Sequence, residues 1–136
     1  MVSVKTQTLE KQKALQAINN FLIQFKNCAS KKELASAATF KGIVSPNFQN
    51  LSSGEVIGEN IQDLLSRIED VQKKYSHVDF ELIRDCLICD NKAIIQYDMK
   101  RTLQNGKKAP PLNIMAIITI EDNLITEWSQ VSHVRE

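Results

Sequence analysis

The side chains with chemistry to offer lie mostly in the last third of the chain. Asp98 stands between Ile94-Ile95 and the basic pair Lys100-Arg101. A carboxylate lowered into an apolar hollow can act as a general acid or base. Gln96, Asn113 and Gln130 are neutral donors and acceptors. They suit a carbonyl or hydroxyl compound, or a developing enolate oxygen. Met115, Ile117 and the sole tryptophan, Trp128, would supply an apolar wall for such a molecule. His133 is a further acid–base candidate near the end of the last apolar run. His77, the other histidine, reads as a cation beyond a helix C-terminus. Each candidate also has a structural reading. Asp98 would pair with a nearby cation, the amides would form a polar outer face, Trp128 would fill the core, and His133 would be an exposed terminal residue.

Cys86-Leu-Ile-Cys89 has redox or zinc spacing. On a strand, residues three apart point to opposite faces, and no second Cys or His pair completes a ligand set. No Gly-rich phosphate loop, nucleophile elbow or metal-binding helix motif is present in the sequence. Neither a metal nor a cofactor is therefore expected.

These side chains must be positioned by a sheet, and the sheet must be covered. Residues 9 to 28 have helical spacing, with Leu15, Ile18, Phe21, Leu22 and Phe25 on one stripe. Ser30-Lys31-Lys32-Glu33 has capping-box spacing, predicting a second helix over 31–40 that Gly42 stops. Ser45-Pro46-Asn47-Phe48 predicts a turn or short edge segment, because Pro46 pushes Ser45 out of helical angles. Gly54 and Gly58 bracket another turn. A third helix is predicted over 59–75, with Ile61, Leu64, Leu65, Ile68, Val71 and Tyr75 inside and Arg67, Asp70 and Lys74 among the residues outside.

The period then changes to that of strands, over 79–89, 93–102, 112–121 and 124–134. Asp90-Asn91 and Asp122-Asn123 supply the turns, and 103–111, with Gly106, Pro110 and Pro111, is a loop. A regular hairpin at Asp122-Asn123 places Ile117 opposite Trp128, Met115 opposite Gln130 and Asn113 opposite Ser132, all on one face. Ile114, Ile118, Ile125 and Val131 then take the other. An inverted assignment would bring Tyr97 and Arg101 into the pocket instead.

The length of 136 residues fits one domain, with a core over about 9–134. Seventeen basic residues against sixteen acidic, without a long run of one sign, argue against a nucleic-acid or anionic-membrane surface. The cluster Lys100-Arg101 with Lys107-Lys108 reads as a solvated strand end. No secretory leader follows Met1, and no apolar run has the length of a membrane span. Three cysteines without a framework pattern point to a reducing cytoplasm.

This order of parts resembles the nuclear-transport-factor-2-like superfamily, most closely its SnoaL-like branch. The resemblance covers about residues 9 to 134. It is carried by the Ser-Pro-Asn-Phe turn, Gly58 before the third helix, and the final Glu-Asp-Asn-Leu-Ile-Thr-Glu-Trp. The last is similar to the branch's Asp-Gly-Lys-Ile-x-Glu-Trp signature, with Asn123 in the Gly place. The resemblance implies an α+β roll of the cystatin-like kind: a cone of curved antiparallel sheet, about four main strands plus short edge segments, packed on three N-terminal helices. It implies a pocket at the open end for an apolar, oxygen-bearing small molecule, and isomerase, cyclase or hydratase-type acid–base chemistry. A non-catalytic carrier or association module is the alternative, and homodimers through the outer sheet face are common in the branch. Asp98 looks like the strand acid of limonene-type epoxide hydrolases. Those enzymes carry an Arg and a second acid where this chain has Gln96 and Gln130, so the charged triad is neutralised here.

Overall fold

The computed structural model describes residues 9–31 and 35–135. Helix α1 (Lys11–Ala29) buries Ile18, Phe21 and Leu22 of the predicted stripe, with Leu15 and Phe25 partly buried beside them and Ala14 buried in addition. The second helix is a single turn, α2 (Ala37–Phe40). The capping box expected to start it includes residues outside the described set. Ser30 has another task. Its hydroxyl accepts the backbone N–H of Val78 at 3.2 Å, stitching the end of α1 to a strand. Helix α3 (Ile61–Lys74) is capped by Asn60, whose side chain accepts from the Asp63 backbone at 3.0 Å.

Seven strands form one sheet: β1 (Val44–Ser52), β2 (Glu55–Gly58), β3 (Tyr75–Leu82), β4 (Leu87–Cys89), β5 (Lys92–Leu103), β6 (Leu112–Glu121) and β7 (Leu124–Val134). The order is β2-β1-β7-β6-β5-β3, with β4 also on β5. The sheet is curved and does not close. Its concave face holds α1 and α3, so an α+β cone is the architecture.

The Ser-Pro-Asn-Phe segment is not a turn. It lies inside β1, which pairs in parallel with β7, the one parallel pair among the described residues. Pro46 is tolerated because the ladder is interrupted between Val44 and Gln49, so no pairing N–H is lost there. The predicted strand over 79–89 is two strands, broken between Leu82 and Leu87.

The hairpins behave as their residues demand. Asp122 and Asn123 both have positive φ (51° and 64°), as a tight two-residue turn requires. Glu121 pairs with Leu124 and Ile120 with Ile125. The register then slips. Thr119 pairs with Glu127, leaving Thr126 as an extra residue. From there Ile118 faces Trp128, Ala116 faces Gln130 and Asn113 faces His133. Every β7 residue beyond the bulge therefore lies on the face opposite to the one a regular hairpin gives.

Candidate functional site

The bulge sorts the predicted site residues into two groups. Trp128 and Gln130 lie on the concave face beside Ile114 and Tyr97, and both line the cavity under the helices. Asp98, Gln96, Asn113, Met115, Ile117 and His133 share the convex face. The expectation of one shared face is thus corrected, and Asp98 does not reach the cavity. The apolar residues assigned to the outer face change sides as well. Ile114, Ile118 and Ile125 are buried on the concave side, and Val131 alone of that set is outside.

On the convex face Asp98 sits in a completed polar chain. Gln96 Nε2 donates to Asn113 Oδ1 at 3.1 Å, and Asn113 Nδ2 donates to Asp98 Oδ1 at 3.2 Å. Arg135 Nη1 then donates to Asp98 Oδ2 at 2.5 Å. His133 is exposed at the end of this row. Around it Met115, Ile117 and Val131 stand about half exposed. Strand β6 is therefore not covered on both faces.

The concave face is built differently. Five rings close a circuit: Phe21–Trp128, Trp128–Tyr97, Tyr97–Phe80, Phe80–Phe25 and Phe25–Phe21, with centroids 4.7, 6.1, 5.8, 5.8 and 6.1 Å apart. All five contacts are tilted or edge-on, the arrangement ring quadrupoles favour. The circuit borders a cavity of about 490 Å³ between α1, α3 and the sheet. That volume is in the range of small-molecule sites.

Polar groups reach this cavity from five elements, with Tyr75 on β3 and Gln130 and Ser132 on β7 among them. Strand β1 brings Asn50 and Ser52, α3 brings Arg67, Asp70 and Lys74, and β5 brings Tyr97 and Arg101. Arg67, Asp70, Val71 and Lys74 recur at three- and four-residue steps, so they form one face of α3. Arg67 is thus corrected from the solvated face to the cavity face, whereas Asp70 and Lys74 stay exposed, as expected, at the rim of the cavity. Arg101 lines the cavity with Tyr97, as the inverted face assignment expects. It is half-buried, donating through Nη1 to the Tyr75 hydroxyl at 2.9 Å and through Nη2 to the Pro110 carbonyl at 2.7 Å. Burial pushes the Tyr97 phenol well above its ordinary range, a shift that the Trp128 side chain and the Arg67 charge oppose. The phenol is therefore protonated at neutral pH. Burial also pulls the Arg67 guanidinium below its ordinary value.

Arg67 and Asn50 are the residues that reading by period missed. Arg67 sits between Leu64 and Ile68 on the flank of the apolar stripe, where a long side chain can turn either way. Among the described residues no cluster of metal-ligating side chains occurs, and no helix is long and apolar enough to cross a membrane.

No protein-family model matches the sequence, and no curated protein matches it. Solved structures do match in fold. A limonene-epoxide-hydrolase-like epoxide hydrolase of M. tuberculosis is 11% identical, covers 92% of this chain and 86% of its own, and has a TM-score of 0.70. TsrD from Streptomyces laurentii is 13% identical over 91% of this chain and 90% of its own, with a TM-score of 0.70. A candidate isomerase of the SnoaL-like family from Agrobacterium tumefaciens strain C58 is 11% identical over 90% and 98%, with a TM-score of 0.68. The chain thus has the fold of the nuclear-transport-factor-2-like superfamily, in its SnoaL-like form.

Proposed function

We propose that the protein binds an apolar, oxygen-bearing small molecule in the cone between the helices and the concave face. The observation that carries this reading is the cavity of about 490 Å³ bordered by the five-ring circuit. An aromatic floor with a few polar groups above it is the usual make-up of a ligand site. Its neighbours in fold include proteins named as an epoxide hydrolase and an isomerase candidate. Acid–base chemistry, if the chain performs it, falls to concave-face groups. Among the described residues Asp70 is the one carboxylate lining the cavity, at its rim, and the buried Tyr97 phenol lines it from the sheet. The test is a titration with Nile red, a neutral apolar fluorophore. One-site saturable binding that is lost in Ile114→Trp, which fills the cavity, is the expected result. Linear, unsaturable uptake that the substitution leaves unchanged would count against the reading.

A homodimer through the convex face is a second reading. Met115 and Val131 are directly paired across β6 and β7, with Ile117 next to them, and all three are about half exposed. An apolar strip of this kind on a sheet face is a common site of association.

A further inference from the structure

Among the described residues, Arg67, Lys74 and Arg101 line the cavity against the single carboxylate of Asp70. The whole chain has 17 basic and 16 acidic residues, so this surplus is local. The groups that make it are also incompletely satisfied. Arg67 has no hydrogen bond or ion pair within the described residues, and Asp70 offsets its burial only through space. Arg101 uses both terminal nitrogens, but its buried Nε has no partner. Asn50 is only 8% exposed, and its Oδ1 is buried without a donor. Buried polar atoms in folded proteins nearly always have partners. Two such exceptions, Asn50 Oδ1 and Arg101 Nε, border this cavity, and with the unpaired guanidinium of Arg67 they mark places a ligand would fill.

The missing partners differ in kind. The two guanidinium groups lack acceptors, and Asn50 Oδ1 lacks a donor. Planar, delocalised guanidinium matches a carboxylate better than it matches a neutral carbonyl. A dianionic phosphate fits less well than a singly charged carboxylate, because the α3 residues that line the cavity, 67 to 74, lie toward the C-terminal end of that helix, where the backbone dipole repels the second charge. The ring circuit supplies the complement to a flat apolar body.

We propose that the ligand is a carboxylate with an aromatic or fused-ring body and a hydroxyl. Arg67 and Arg101 hold the carboxylate, and Asn50 Oδ1 accepts from the hydroxyl. This rests on the reading of the cone as a small-molecule site.

The test is calorimetry of the full chain with a hydroxynaphthoate and with the matching neutral hydroxynaphthamide. The acid is expected to bind about tenfold or more tightly than the amide, as loss of a charge-assisted pair implies. Arg67→Met should abolish that preference, and Arg67→Lys should keep part of it. The ligand-free melting point of Arg67→Met should equal or exceed that of the parent, since a half-buried guanidinium without a partner is removed. Equal binding of acid and amide would overturn the carboxylate inference and leave the small-molecule reading standing. Binding of neither compound, together with no saturable uptake of Nile red, would overturn both. A large fall in melting point in both Arg67 variants would show that the guanidinium serves the fold, and would also overturn the inference.

Discussion

The two faces of the sheet bury polar groups under opposite rules. On the convex face, Gln96, Asn113, Asp98 and Arg135 form a chain in which each link meets a partner. On the concave face, Asn50 Oδ1 and Arg101 Nε are buried and have none. A satisfied network stabilises and specifies a fold, whereas an unsatisfied group costs its full desolvation. The acid that looks most catalytic by its neighbours in sequence is the one whose hydrogen-bonding valences are already filled.

Four substitutions probe that contrast, taken from the largest effect to the smallest. Trp128→Ala removes a ring packed 4.7 Å from Phe21 and 2% exposed. It should cost about 3–5 kcal/mol in denaturant unfolding, because it opens a cavity in the core. Asp98→Ala leaves Asn113 short of an acceptor inside the sheet. It should cost about 1–3 kcal/mol while leaving binding in the cone unchanged. A loss of binding without loss of stability would reverse the division between the faces.

The third concerns pH. The folded phenol of Tyr97 lies above its ordinary value of 10.0, so the neutral form is favoured in the folded chain. Above about pH 10 the unfolded chain loses this proton first, and stability falls as pH rises. The contribution is fully present below pH 10. Tyr97→Phe should therefore flatten the alkaline limb of a melting-point profile. An unchanged limb would place its cause elsewhere. Last, Ile117→Lys on the convex face should change stability by under about 0.5 kcal/mol, since the side chain is already 43% exposed. Sedimentation should show it breaking any dimer formed through that face.

Much of the scaffold was legible in the residues. The stripe of α1, the extent of β6 and β7, and the Asp-Asn turns follow from period and from tolerance of positive φ. Two things were not. Pro46 argued for a turn, but an interrupted parallel ladder holds it within a strand. The slip at Thr126 has no glycine to announce it. A signal existed all the same. Ile125 and Trp128 are both large and apolar and lie three apart, which a regular strand cannot bury on one face. Both are buried here, at 0% and 2% exposure. The basic cavity lining was hidden for a different reason: a long cation at the edge of a helix stripe can point to water or inward, and only the shape of the partner decides.

The extra residue at Thr126 also sets the terms for redesign. Counting by twos from the hairpin tip assigns the β7 residues beyond Thr126 to the wrong side unless the extra residue is counted as well. A carboxylate meant for the hollow belongs at position 130, in the place of a glutamine already inside, and an acid written at 131 would meet solvent instead.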